Sequence, residues 1–196
     1  MIHYRKTPTR YQNADKVIKK TLNSAYQRLL AHQNEDGSFV FCLQDHKKTP
    51  STFLTASAID VLRRLQSEQN KLVVDSRVLT KTLDWLISQQ SPEDGSFREN
   101  FVFDGIYQRK IPIDFQEIAL TSHVLIALAG FTDSGFDFNT TGTMKRAANF
   151  LSSRLEILDK SGTSLDIALV ARALQVNIFN TFYFAFKFGL SKILNG

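Results

Sequence analysis

The sequence predicts an all-α protein of stacked helical hairpins, and three observations predict it. Apolar residues recur at helical spacing along nearly the whole chain, no run reads convincingly as a sheet with its own hairpin turns, and one helix-to-helix turn is written twice. The copies read QNEDGSF at 33–39 and PEDGSF at 92–97, with Asp36 and Asp94 58 positions apart. A turn repeated at such an interval marks one structural unit used more than once.

The elements follow in order. Val17, Ile18, Leu22, Ala25, Tyr26, Leu29 and Leu30 fall at steps of one, three and four, which lines up apolar groups on one side of a helix, with Lys16, Lys19, Lys20 and Arg28 opposite. A second helix begins at Ser51 or Thr52, either of which can cap its free amides, and Phe53, Leu54, Ile59, Val61, Leu62 and Leu65 supply its buried stripe. Asp75 caps a third, whose apolar set is Val78, Leu79, Leu83, Trp85, Leu86 and Ile87. Further helices are predicted over 116–129, over 143–158 and from 164 onward. In the repeated turn, glycine reaches left-handed backbone angles without a Cβ clash, aspartate bonds neighbouring amides, and the aromatic folds back as a pin. Phe101-Val102-Phe103 is too short a run to change the class.

At 196 residues with 43% hydrophobic and 22% charged content, the chain can bury a single core and reads as one domain. The net charge of +5 is local: residues 1–30 hold seven basic residues against the single acid Asp15, so this segment carries +6 and the remainder −1. That distribution reads as a solvated basic helix face rather than a nucleic-acid site. The start Met1-Ile2-His3-Tyr4-Arg5 has no apolar core of a secretory signal, which read literally keeps the chain in the cytosol. Cys42 is the single cysteine, so no internal disulfide can form, and Asn139-Thr140-Thr141 is a glycosylation sequon relevant only to a secreted chain.

QNEDGSF and QQSPEDGSF resemble the Q-x-x-D-G-S-W/F corners of α/α toroids, which terpene cyclases, protein prenyltransferase β subunits and the thioester domain of the complement and alpha-2-macroglobulin family share. Three further segments resemble the last of these: PSTFLTASAIDVL at 50–62, VVDSRVLTKTLDWLISQQSPEDGSF at 73–97 and IALTSHVLIAL at 118–128. VIKKTLNSAYQRLLAHQ is similar to the family's helix before the first corner. The likeness runs in order from about residue 10 to 175 and is closest in flavour to the insect thioester-containing proteins. It implies an incomplete α/α toroid over 1–175, followed by a divergent Phe-rich tail over 176–196.

The resemblance also implies a chemistry. In the family a Gly-Cys-Gly-Glu-Gln string forms an internal thioester, a stored electrophile captured by a target surface after proteolysis. This chain has no such string: Cys42 stands in FVFCLQDHK, with Gln44 two positions on and no preceding glycine, so the motif is expected upstream of Met1. In hydroxyl-reactive members a histidine past the second corner displaces the thioester. Asp104 occupies that position here, which implies amine preference for any fuller product. His123 reads as a core or rim histidine.

Other constellations are weaker. Cys42, Asp45 and His46 carry ligand-type side chains within five residues, but adjacent loop residues close a zinc tetrahedron poorly, so no metal is expected. Asp36 and Asp94 read as turn caps rather than paired acids, and no Asp-x-Asp-Asp string, phosphate loop or His-Glu-x-x-His helix occurs. In the tail, Asn177, Asn180, Lys187 and Lys192 make the apolar span 176–194 costly to insert in a membrane. The tail, the plain start and the missing motif together suggest a truncated product, and an open arc would leave apolar faces wet.

The expected function is therefore that of a piece of an extracellular innate-immunity protein that traps proteases or tags microbes. It has no catalysis of its own and no cofactor, and its partners are other domains of a larger parent, proteases or microbial surfaces. An isoprenoid-processing toroid enzyme and a non-covalent binding module are the alternatives.

Overall fold

The computed structural model describes residues 9–40, 48–66, 73–99, 113–131, 140–161 and 163–175. Helix α1 spans Thr9–Leu30, α2 Thr52–Gln66, α3 Ser76–Ser88, α4 Ile113–Ala129, α5 Thr140–Ser153 and α6 Leu155–Ser161, and α7 covers 164–175. The class is all-α, as predicted. Two residues at Phe39–Val40 (β1) pair antiparallel with Pro50–Ser51 (β2), a contact the sequence did not announce. It joins the end of the first corner to the start of α2.

Caps act as the sequence implied. The Asp75 carboxylate accepts from the Arg77 amide at 2.9 Å to open α3, and Ser51 Oγ accepts from the Leu54 amide at 3.1 Å to open α2. Thr163 and Asp166 cap α7 reciprocally, the Asp166 carboxylate accepting from the Thr163 amide at 3.0 Å and Thr163 Oγ1 from the Asp166 amide at 3.3 Å. The helix expected over 143–158 is two helices. The Arg154 amide bonds back to Leu151 and the Arg154 carbonyl accepts from Ile157 and Leu158, so the chain turns there, with the guanidinium 5.2 Å from the Phe150 ring centre.

Packing separates the helices into central and flanking ones. α4 lies against α2 and against α5, while α3 and α1 pack on α2. Ile118, Val124, Leu125 and Leu128 of α4 are fully buried, and so are Thr121 and Ser122, so the helix is enclosed on nearly all sides. Ile59 and Leu62 of α2, Leu79, Leu83 and Leu86 of α3, and Met144, Ala147, Phe150 and Leu151 of α5 pack into the same core. Two expected stripes are narrower than their periodicity suggested: Phe53 and Val61 of α2 stand 48% and 45% exposed, and Val17, Ile18 and Ala25 of α1 face water. α1 touches the core chiefly through Tyr26, with Leu22, Leu29 and Leu30 half-buried against it.

Candidate functional site

The repeated turn is the feature around which a site can be described. After α1 and again after α3 the chain forms the same closed corner, held by an antiparallel bridge of Gln33 to Phe39 in the first and Gln90 to Phe97 in the second. Asp36 Oδ1 accepts from the Ser38 amide at 2.9 Å and its hydroxyl at 2.6 Å, while Asp94 Oδ1 accepts from the Ser96 amide at 3.0 Å and its hydroxyl at 2.8 Å. The aromatic pins are buried, Phe39 to 2% exposure and Phe97 to none. Each pin's amide donates at 2.9 Å to a threonine hydroxyl of the next central helix, Phe39 to Thr55 and Phe97 to Thr121.

The corners also lock onto the flanking helix that follows. Gln33 Nε2 donates to Thr82 Oγ1 of α3 at 2.8 Å, and Gln90 Nε2 to the Thr143 carbonyl of α5 at 2.8 Å. Arg146 of α5 donates back to Gln90 Oε1. Gly37 (φ 97°) and Gly95 (φ 80°) press on the backbones of Lys81 and Arg146. Past the second corner, the Arg98 carbonyl accepts from Thr52 Oγ1 at 2.8 Å and Glu99 Oε2 accepts from the Phe53 amide at 3.0 Å. A carboxylate 46 residues away in sequence thus caps α2, where the free amides and helix dipole favour negative charge. Burial raises the Glu99 carboxyl above its ordinary range, although donors at Ser51, Phe53 and Thr52 oppose this.

Along the half-buried seam between α2 and α4, Ser57 Oγ lies 2.9 Å from His123 Nε2, and the Phe53 ring stacks on the imidazole at 4.7 Å between centres. Ser57 and His123 hold matching places, since each stands two residues after the threonine that receives a pin. Side by side contact of matching positions, with Gly130 at the far end of α4 meeting Arg63 of α2, makes the two helices parallel neighbours. The pair resembles a nucleophile and base, but Ser57 Oγ has a second acceptor, the Phe53 carbonyl at 2.9 Å, and which of the two takes its single proton follows the imidazole tautomer. Burial lowers the His123 pKa, with Asp60 pulling weakly the other way. Asp60 itself is claimed by Arg64 at 2.7 Å and Arg63 at 3.1 Å.

Of the residues singled out in the sequence, His123 takes the rim position expected. Asp36 and Asp94 act within separate corners as turn caps. Burial pushes the Asp94 carboxyl up, but the Ser96 amide, the Ser91 and Ser96 hydroxyls and the Arg98 charge outweigh it and hold the group below the usual range. Asp104, Asn139, Cys42, Asp45, His46 and the tail over 176–196 lie outside the described residues. Among the described residues no cluster of three or more His, Cys, Asp or Glu could hold a metal ion, and no helix is long and apolar enough to cross a membrane. The sequence reading missed the receiving threonines, the bridging glutamines and the Glu99 cap. A Leu-Thr pair recurs in both central helices, at 54–55 and 120–121, and was the available signal.

A family model described as the A-macroglobulin TED domain matches residues 1–180. Complement C3 of Lethenteron camtschaticum is 27% identical over 157 residues, covering 79% of this chain, and Complement C3 of Oncorhynchus mykiss is 29% identical over 139 residues, covering 69%. The chain spans only 9% and 8% of the length of these two relatives.

Proposed function

The chain belongs to the A-macroglobulin TED domain family of complement proteins, and on that footing we propose that it is a non-catalytic, extracellular target-engaging piece of a complement or alpha-2-macroglobulin-like protein. Its targets are microbial surfaces or proteases, held by contact without turnover. The observation that carries this reading is the doubled corner, each copy clamped to both the next central and the next flanking helix. Such a joint repeats a rigid unit and leaves the outer faces free for binding, and further units added in the same way would curve into the α/α toroid the resemblance implies. Asp60, the acid nearest the Ser57–His123 pair in charge, is held by Arg63 and Arg64, and the 196 residues contain no Gly-Cys-Gly-Glu-Gln string from which a covalent bond to a target could be made.

Co-sedimentation with bacterial cells, together with capture by an immobilised serine protease, tests the proposal. Saturable retention on one of them, released completely by boiling in SDS, is the expected result. An SDS-stable adduct would show covalent chemistry in this chain, and absence of retention on both would sink the reading.

A further inference from the structure

We propose that the outward face of α1 is a binding site for a linear sulfated polysaccharide. Lys16, Lys20, Ser24 and Arg28 stand at intervals of four, which at 3.6 residues per turn makes one ridge about 18 Å long. All four are exposed; by helical register Ser24 and Arg28 lie about 160° and Lys20 about 120° around the axis from Tyr26, the residue that seats α1 in the core, with Lys16 on the flank at about 80°. Asp15, the one acid of the first thirty residues, falls in register on the Tyr26 side.

Cations elsewhere in the described structure are mostly engaged: Arg63 and Arg64 with Asp60, Arg77 with Asp75, Arg98 with Glu117 and Lys160 with Glu156. Among the described residues no ion pair joins Lys16, Lys20 or Arg28 to an acid. Like charges four apart on a helix repel, so the ridge is a small destabilising feature in isolation and a complementary one to a chain of anions.

Other polyanions fit less well. A bilayer would need the apolar side of α1, but Tyr26 is already packed in the core with Leu22, Leu29 and Leu30 against it, and of the large apolar residues only Val17 points with the ridge. Single-stranded nucleic acid would need aromatic platforms for its bases, and the described ridge has none. The choice of a polysaccharide rests on the extracellular reading above.

The test uses the whole chain on immobilised heparin, double-stranded DNA and phosphatidylserine vesicles. Heparin should retain it best at about 0.15 M salt, with log affinity falling linearly in log salt. The K16A/K20A/R28A variant should bind heparin at least about tenfold more weakly, with the salt slope reduced by about two to three, roughly one for each lost contact. K16R/K20R should stay within about twofold of the parent. A control of equal charge change on other helices, K145A/K160A/R172A, should also stay within about twofold, and circular dichroism confirms that every variant is folded. Equal loss in the control would reduce the effect to net charge, and better retention on DNA or vesicles, or none on heparin, overturns the proposal. Co-sedimentation with bacterial cells, repeated on the ridge variant, separates the two readings: ridge-independent target binding with no heparin affinity defeats only this one.

Discussion

Gly37 and Gly95 answer two demands at once. Each holds a positive φ, and each lets the corner touch the next helix, since a Cβ would stand 2.3 Å from the Lys81 carbonyl oxygen at Gly37 and 2.8 Å from the Arg146 backbone at Gly95. Gly37→Ala should therefore destabilise by more than about 1 kcal/mol, and by more than Gly95→Ala, read as a shift in the urea midpoint at unchanged slope. His123 makes a second residue-scale prediction. Burial lowers its pKa in the folded state, so the unfolded chain binds more protons as pH falls through about 6.5, and stability drops on that side. His123→Gln should flatten this slope in denaturation curves taken between about pH 7.5 and 5.5, and an unchanged slope would show that another group is responsible.

At the scale of elements, the corners work as joints because the acceptor for each pin belongs to a different helix. Thr121 of α4 receives the buried Phe97 amide at 2.9 Å. Thr121→Val keeps the shape and removes the acceptor, leaving an amide unpaired away from water, at a cost of about 1–3 kcal/mol. Thr121→Ser should recover most of it, and chemical denaturation of the two variants distinguishes a lost hydrogen bond from lost packing. The existence of the helices was legible from periodicity, and so was the Asp75 cap, because the interactions that make them lie within a few residues. The break at Arg154 was not legible, since no glycine or proline marks it and the turn is made by backbone bonding around Leu151, Arg154 and Leu158. The wide apolar stripe read on α2 misled for a related reason. Periodicity finds the face that can be buried, and only the neighbours present decide how much of it is.

For the whole molecule, exposed apolar surface is the property that matters most in solution. Val73, Leu165 and Val17 stand 88%, 74% and 63% exposed, and Leu155, Leu158, Ile167, Val170 and Leu174 line an apolar groove between α6 and α7. The chain expressed alone should bind a hydrophobic dye and self-associate as concentration rises in sedimentation velocity. A dye-silent monomer unfolding in one cooperative step would contradict this. The sequence by itself determined the all-α class, the two corners and their buried aromatic pins, because spacing along the chain encodes these and glycine, aspartate and phenylalanine can be read there directly. Tertiary structure alone decided which threonine receives each pin, that Glu99 caps α2 and that Ser57 meets His123. Those contacts join residues from 16 to 66 positions apart, and their partners are chosen by how the helices pack rather than by any local rule.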